Sequence, residues 1–325
     1  MKSLIAVLAG LVLILSGCNN SGSNETYLLK SLGNINTLQV ITENELWNGD
    51  VGEEIRKYFA APVDGLPQEE PLFSMNQMPP STYTDFARKY RTFLHVSIGD
   101  SAAVSIKKNP YAKPQTGAFI IGTSKQEIID LLAEHHQRII SAFKKSEIAE
   151  KQSRINNSLK KLDTLEERMR VTMNIPTAYR TALETDDFFW YRKALKSGET
   201  NIIVYEVPLS YIESDSTVVN DIIEIRDLIG GDYMPVEEGG RFITEEAYAP
   251  YLFTTEIDDH FAYETKGIWE VKTQFMGGPF INYAVRDSIN DRYLILEGFV
   301  YAPATSKRDL QFELEAILRS AKILQ

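Results

Sequence analysis

Ser124-Lys125-Gln126-Glu127-Ile128-Ile129-Asp130-Leu131-Leu132 opens the stretch that decides the fold, because from Thr123 to Ile175 the chain contains neither glycine nor proline. Those two residues disfavour helix interiors most strongly, so a helix here runs as far as its side chains support it. Ser124 and Glu127 are spaced as a capping box, in which each side chain satisfies an otherwise free backbone N–H of the first turn. Ile128, Ile129, Leu132, Ile139, Ile140 and Phe143 then fall on one apolar face. Past Lys145 the pattern thins to Ile148, Ile155, Leu159, Leu162, Leu165 and Met169. The run reads as one long helix, or as two with a break around Lys144 to Ser146. Its second half is polar enough to be largely solvated, which suits a connector between two bodies.

On the N-terminal side, short apolar runs at Leu38–Ile41, Leu72–Met78, Thr92–Ile98, Ala103–Ile106 and Ala118–Ile121 read as strands. Residues 43–59 and 81–90 read as helices, and the proline-rich segment 61–71 as loop. On the C-terminal side, strands are expected at 187–193, 201–208, 251–256, 262–273, 282–287 and 292–301. Helices are expected at 219–229 and 306–322, with glycine-rich turns at Gly230-Gly231 and Gly277-Gly278. Strands with helices at their ends give an α+β chain: two bodies of mainly antiparallel sheet with packed helices, joined by a long helix. The expected boundaries are 34–145 for the first body, 146–168 for the helical connector and 169–325 for the second. The Thr-Ser-Lys steps at 123–125 and 305–307 each follow a strand and open a helix. Convergent capping or an old duplication explains that likeness.

The 325 residues are 43% hydrophobic and 10% aromatic, enough to build well-filled cores, and carry a net charge of −11. An acidic surface of that size repels nucleic acid and anionic headgroups, so nucleic-acid binding and direct polybasic membrane contact are set aside. Met1-Lys2-Ser3, the apolar run from Leu4 to Leu15 and the small residues Ser16 and Gly17 have the layout of an export signal. The apolar run is short of the roughly 20 residues that span a bilayer, and no later run reaches that length.

Leu15-Ser16-Gly17-Cys18 resembles the lipobox of bacterial lipoproteins. The resemblance implies cleavage between Gly17 and Cys18 and attachment of lipid to the Cys18 thiol. Removal of residues 1–17 leaves 308, and the loss of Lys2 with them takes the charge to −12. Two or three acyl chains make such an anchor stable where one does not, since each buried CH₂ contributes about 0.8 kcal/mol. Cys18 is the only cysteine, so no internal disulfide braces the fold. The small polar residues that follow belong to a tether, 18–33. No Asp follows Cys18 and no acidic cluster lies just beyond it, which in the sorting rules of lipoproteins points to the periplasmic face of the outer membrane.

Ile175-Pro176-Thr177-Ala178-Tyr179, the segment from Trp269 to Phe280 and the closing run Leu314 to Ile323 resemble Mog1/PsbP-like domains. Those are sandwiches on an antiparallel sheet that serve mostly as accessory or binding modules. With the lipobox, Met276-Gly277-Gly278-Pro279-Phe280 and Glu297-Gly298-Phe299-Val300-Tyr301-Ala302-Pro303, the whole chain looks like a family of Bacteroidetes lipoproteins known only as a domain of unknown function. That resemblance carries no catalytic residues over.

Chemistry-bearing residues are sparse. His135 and His136 are adjacent on a helix, about 100° apart, where a two-histidine metal site needs i, i+4 spacing. Asp258-Asp259-His260 sits between two strands, where a polar turn is required anyway, and His95 interrupts an apolar strand. No nucleophile elbow, phosphate loop or companion-motif set occurs, and no metal or cofactor is expected. The candidate binding face is Trp269, Phe275, Met276 and Phe280, aromatic anchors beside glycines that let a partner approach. The expected role is a non-catalytic binding or scaffolding module of the envelope with a protein partner. An envelope hydrolase with a non-contiguous site and a small-ligand carrier are the alternatives. Perturbed carboxylates or histidines in a pocket would favour the hydrolase, an exposed apolar patch the module, and an enclosed apolar cavity the carrier.

Overall fold

The computed structural model describes residues 28–212, 216–236 and 239–324; the export signal, Cys18 and most of the tether lie outside the described residues. The first body comprises β1 (Leu29–Lys30), β2 (Thr37–Ile41), α1 (Asn44–Trp47), α2 (Asp50–Phe59), β3 (Ser74–Met78), β4 (Thr92–Ile98), β5 (Ala103–Lys108), β6 (Ala112–Lys113) and β7 (Thr116–Gly122). Its sheet has the order β3-β2-β4-β7-β5. Asn48-Gly49 divides the expected helix over 43–59 in two, and the segment 81–90 forms 3₁₀ turns instead of a helix.

The expectation of antiparallel pairing fails in this sheet. β2 pairs in parallel with β3 and β4, and β4 with β7; only β5 runs antiparallel, against β7. The physical reason is the crossover: α1 and α2 carry the chain from β2 back to the start of β3, which is how parallel neighbours are joined. β7 then inserts between β4 and β5, so Gly99-Asp100 does not close a hairpin. Leu38, Val40, Leu94, Val96, Ala118 and Ile120 meet Ile55 and Phe59 of α2 in one apolar core.

α3 (Lys125–Ile155) leaves β7 through the capping box: Ser124 Oγ accepts from Glu127 N at 3.2 Å, and Glu127 Oε2 accepts from Thr123 N at 2.6 Å. It runs unbroken past Lys144–Ser146 for 31 residues. Ile128, Leu132, Ile139 and Phe143 close the first core, while Ile155 is already part of the second. The later half is packed, not solvated. Glu147 is 0% exposed and accepts from Arg91 Nε at 2.7 Å, Arg91 Nη2 at 3.0 Å, Thr92 Oγ1 at 2.8 Å and Asn36 N at 2.8 Å.

The second body follows α4 (Asp163–Met169) with β8 (Val171–Thr172), β9 (Arg180–Glu184), β10 (Phe188–Leu195), β11 (Gly198–Pro208), α5 (Val218–Tyr233), β12 (Ile243–Thr244), β13 (Tyr251–Ile257), β14 (His260–Val271), β15 (Met276–Asp287), β16 (Arg292–Tyr301), α6 (Arg308–Leu318) and β17 (Lys322–Ile323). Its eight-stranded sheet is antiparallel throughout, in the order β12-β14-β15-β16-β11-β10-β9 with β13 also on β14. Both faces are covered, so central strands are apolar at nearly every position. Ile202, Val204, Leu294 and Leu296 face α6 and the end of α3; Ile203, Tyr205, Ile295 and Phe299 face α5. Taken whole, the strands are mainly antiparallel and the architecture is α+β, with the long helix between two sheets.

Loop and helix ends clamp the bodies together. Glu70, in the loop after α2, accepts from Lys307 N at 2.6 Å and Arg308 N at 3.0 Å, so a carboxylate of the first body caps α6 of the second. On the far side of α6, Glu313 pairs with Lys151 of α3 at 2.6 Å and with Lys193 of β10. The resemblance between the two strand-to-helix steps ends at the cap. α3 is capped by its own Ser124, α6 from 237 residues upstream.

Candidate functional site

A cleft of about 840 Å³ opens where α3, the β13–β14 hairpin and α6 come together. That volume is in the range of ligand sites. One wall is a helical stripe: Gln137, Ile140, Lys144, Ile148 and Gln152 follow one another at three or four residues along α3. The opposite wall is a strand face, Glu264 and Lys266 of β14 with Phe253 and Thr255 of β13, side chains two apart and so on the same side. Glu315 of α6 and Arg319 just beyond it form the floor.

The charges are ordered. Lys266 Nζ lies 2.5 Å from Glu264 Oε1, Arg319 Nη2 2.9 Å from Glu264 Oε2, and Arg319 Nε 3.1 Å from Glu315 Oε1. Burial alone would raise the Glu315 carboxyl, but Lys266, Arg319 and Lys144 hold it below the ordinary 4.5, so it stays ionised as a paired anion, the opposite direction from the raised carboxyl that acid–base chemistry near neutral pH uses. Burial would depress Lys266, and Glu315 and Glu264 more than offset it. Lys144 differs. Burial, reinforced by Lys266, pulls its ammonium below the ordinary 10.5. Among the described residues no carboxylate lies within ion-pair distance of Lys144. The cleft is lined by four cations, Lys144, Lys145, Lys266 and Arg319, against three anions, Asp64, Glu264 and Glu315, one positive charge in excess beside the apolar surfaces of Ile140, Ile148 and Phe253.

Residues 158–320, half of the chain, match the family model described as domain of unknown function (DUF4837). The chain belongs to that family. Residues 31–156 match a second model, domain of unknown function (DUF8532), so the cleft is built jointly: Lys144 from the DUF8532 segment, Glu264, Lys266, Glu315 and Arg319 from the DUF4837 segment. No curated protein matches the chain.

Within the DUF4837 segment, three of the four residues read as a binding face, Trp269, Phe275 and Met276, line one open pocket of about 630 Å³, and Phe280 does not. Phe280 is fully buried beneath the Arg226 guanidinium, which stacks 3.5 Å from its ring centroid, and Met276 is half-buried against the same core. Trp269 is a core residue whose indole donates to Val300 O at 3.2 Å. Phe275 alone stands free, 100% exposed at φ 49°. Phe280 is thus corrected from anchor to packing, while Trp269 borders the pocket of Phe275 and Met276 but is itself 3% exposed and packs as a core residue. Gly277 and Gly278 belong to β15 rather than to a loop. A Cβ at Gly278 would sit 1.9 Å from Val300 O, and its absence is what lets the Trp269 indole reach that carbonyl.

Gly230 and Gly231 likewise lie inside α5, where Phe242 and Arg241 press against them. Asp258 and Asp259 form the β13–β14 turn, both at positive φ, and Asp258 accepts from Lys322 and from Ile323 N. His136 stacks on Tyr58 at 3.8 Å, and burial lowers the pKa of His95. Among the described residues no group of three or more His, Cys, Asp or Glu side chains is gathered as a metal site, and no helix is long and apolar enough to cross a membrane.

Lys144 was legible only as an irregularity. It interrupts the apolar stripe between Ile140 and Ile148, and a cation at a core-facing position asks for an anion.

Proposed function

We propose that the chain is a lipoprotein anchored through Cys18 to the outer membrane and facing the periplasm, and that it works there as a non-catalytic binding module. The cleft between its two bodies is the binding site, and its occupant is an extended acidic segment of an envelope protein. The observation that carries this reading is Lys144: a half-buried ammonium with no carboxylate within ion-pair distance among the described residues, set in a wall with apolar neighbours, in a cleft where Glu264 and Glu315 are already paired to other cations and Asp64 at the lining is the remaining anion. A carboxylate entering the cleft gains a charge-assisted contact that the protein itself leaves open.

The test is in-cell cross-linking and affinity capture of the tagged protein from its native envelope. Incorporation of a palmitate analogue, abolished by Cys18→Ala, checks the anchor. A single near-stoichiometric partner is expected, lost on Lys144→Glu and retained on Lys196→Glu, an exposed control. Retention of the partner by the Lys144→Glu variant refutes the cleft as the site, and absence of a partner from the parent protein refutes the binding-module reading.

A further inference from the structure

The net charge conceals a reversal at one end of the first body. Residues 28–42, 86–99 and 101–126 contain no Asp or Glu. The fold gathers parts of all three where the chain enters. Lys30 of β1 is the direct ladder neighbour of Lys113 in β6. Leu32 N donates to Lys89 O at 2.8 Å, and Gln115 Nε2 donates to Arg88 O at 2.7 Å, which ties the 86–90 turn to the same place. Among the described residues none of these four cations has a carboxylate within ion-pair distance. In sequence, Glu25, Glu43 and Asp85 flank these segments, and Glu150, which lines a cleft with Lys30 and Lys113, is taken up by Arg154 at 2.7 Å.

Apolar side chains are interleaved with the cations. Phe86 is 63% exposed with Lys89 Nζ 5.7 Å from its ring centroid, and Arg88 lies 5.2 Å from the Tyr111 ring. Leu29, 48% exposed, stands beside Ala112. Basic heads around exposed aromatic and aliphatic side chains are what a bilayer surface with anionic headgroups recognises.

We propose that this face seats on the membrane that holds the anchor. The inference rests on lipid attachment at Cys18. Leu28 is ten residues beyond that cysteine, and ten residues span at most about 35 Å, so the face where the chain enters cannot leave the headgroup region by more than that. The lipid supplies the attachment and the basic face sets the orientation, turning the rest of the acidic body, cleft included, away from the bilayer.

The test uses the acylated full-length protein carrying Phe86→Trp, reconstituted into vesicles of zwitterionic lipid or of the same lipid with anionic phosphatidylglycerol, each containing brominated acyl chains. Signal from the parent chain without Phe86→Trp is subtracted. Quenching of the new indole is expected in the anionic vesicles and should fall as salt rises. It should be lost with Lys30→Ala, Arg88→Ala and Lys113→Ala together. The same loss of charge at Lys196, Lys272 and Lys322 of the second body should leave it intact. At about 1 kcal/mol per basic residue near an anionic surface, the triple change weakens seating by roughly 100-fold. Protein that floats with the vesicles but shows equal quenching in both lipids, or none, overturns the face while sparing the anchor. Protein that fails to float overturns the anchor and the face with it.

Discussion

Replacing Glu147 by alanine should be the most damaging single change in the first body. The carboxylate is wholly buried and accepts four hydrogen bonds, two of them from Arg91, which is itself only 2% exposed. Removing it leaves a guanidinium in the interior with Gly33 O at 3.0 Å and Asn34 O at 2.7 Å, but with its countercharge reduced to Glu150 at 3.8 Å. Breaking a buried pair from one side costs about 3–5 kcal/mol, and the carbonyl contacts that survive place this case near the lower figure. At about 1.6 °C per kcal/mol for a cooperative unit of roughly 300 residues, thermal unfolding followed by circular dichroism should shift down by roughly 5 °C. Arg91→Met with Glu147→Leu removes both charges and should recover much of the loss, because the damage comes from the orphaned cation rather than from the missing contact. A Glu147→Ala midpoint within a degree of the parent would refute the reasoning, as would a double variant that loses the sum of the two single changes.

Gly278→Ala forces a methyl group to 1.9 Å from Val300 O, a backbone atom that cannot swing aside, and should lower stability by about 1–3 kcal/mol, read as a lower urea midpoint with unchanged slope. Acid should loosen the contact between α3 and α6. Burial opposes ionisation of Glu313, yet Lys193 and Lys151 hold its pKa below the ordinary 4.5. Its contribution is therefore complete above about 4.5 and fades as pH falls through the depressed folded value. Melting temperatures from pH 7 to 3 should drop in the parent and drop less steeply in Glu313→Gln.

What the sequence made legible was local. The capping box at Ser124, the absence of Gly and Pro after Thr123 and the run of strands from Tyr251 to Tyr301 all depend on neighbours within a few residues, and the structure contains each of them. Strand direction in the first sheet depends on where a crossover lands, which hydrophobic pattern does not encode. Glycine pairs read as turns from sequence because turns use glycine most often. Here Gly278 makes room for an indole, and Gly230 and Gly231 for a loop, neither of which is near in sequence. The cleft was the least legible feature. Its charges come from residues 64, 144, 145, 264, 266, 315 and 319, spread along the chain, and only the lysine breaking an apolar stripe left a trace.

The clamp at Glu70 also bears on how the chain may be divided. A boundary at residue 157, where one family match gives way to the other, looks like a natural place to cut for separate expression or for exchange of parts between relatives. A piece beginning there would lose the carboxylate that caps α6, the Lys151 partner of Glu313 and the Ile155 side chain that completes the second core. The complementary piece would end in a long helix stripped of the surface against which its last three turns pack. The two halves are separable as sequence families and interdependent as matter, so recombining them succeeds only where residues 68–71, 144–155 and 307–319 travel together.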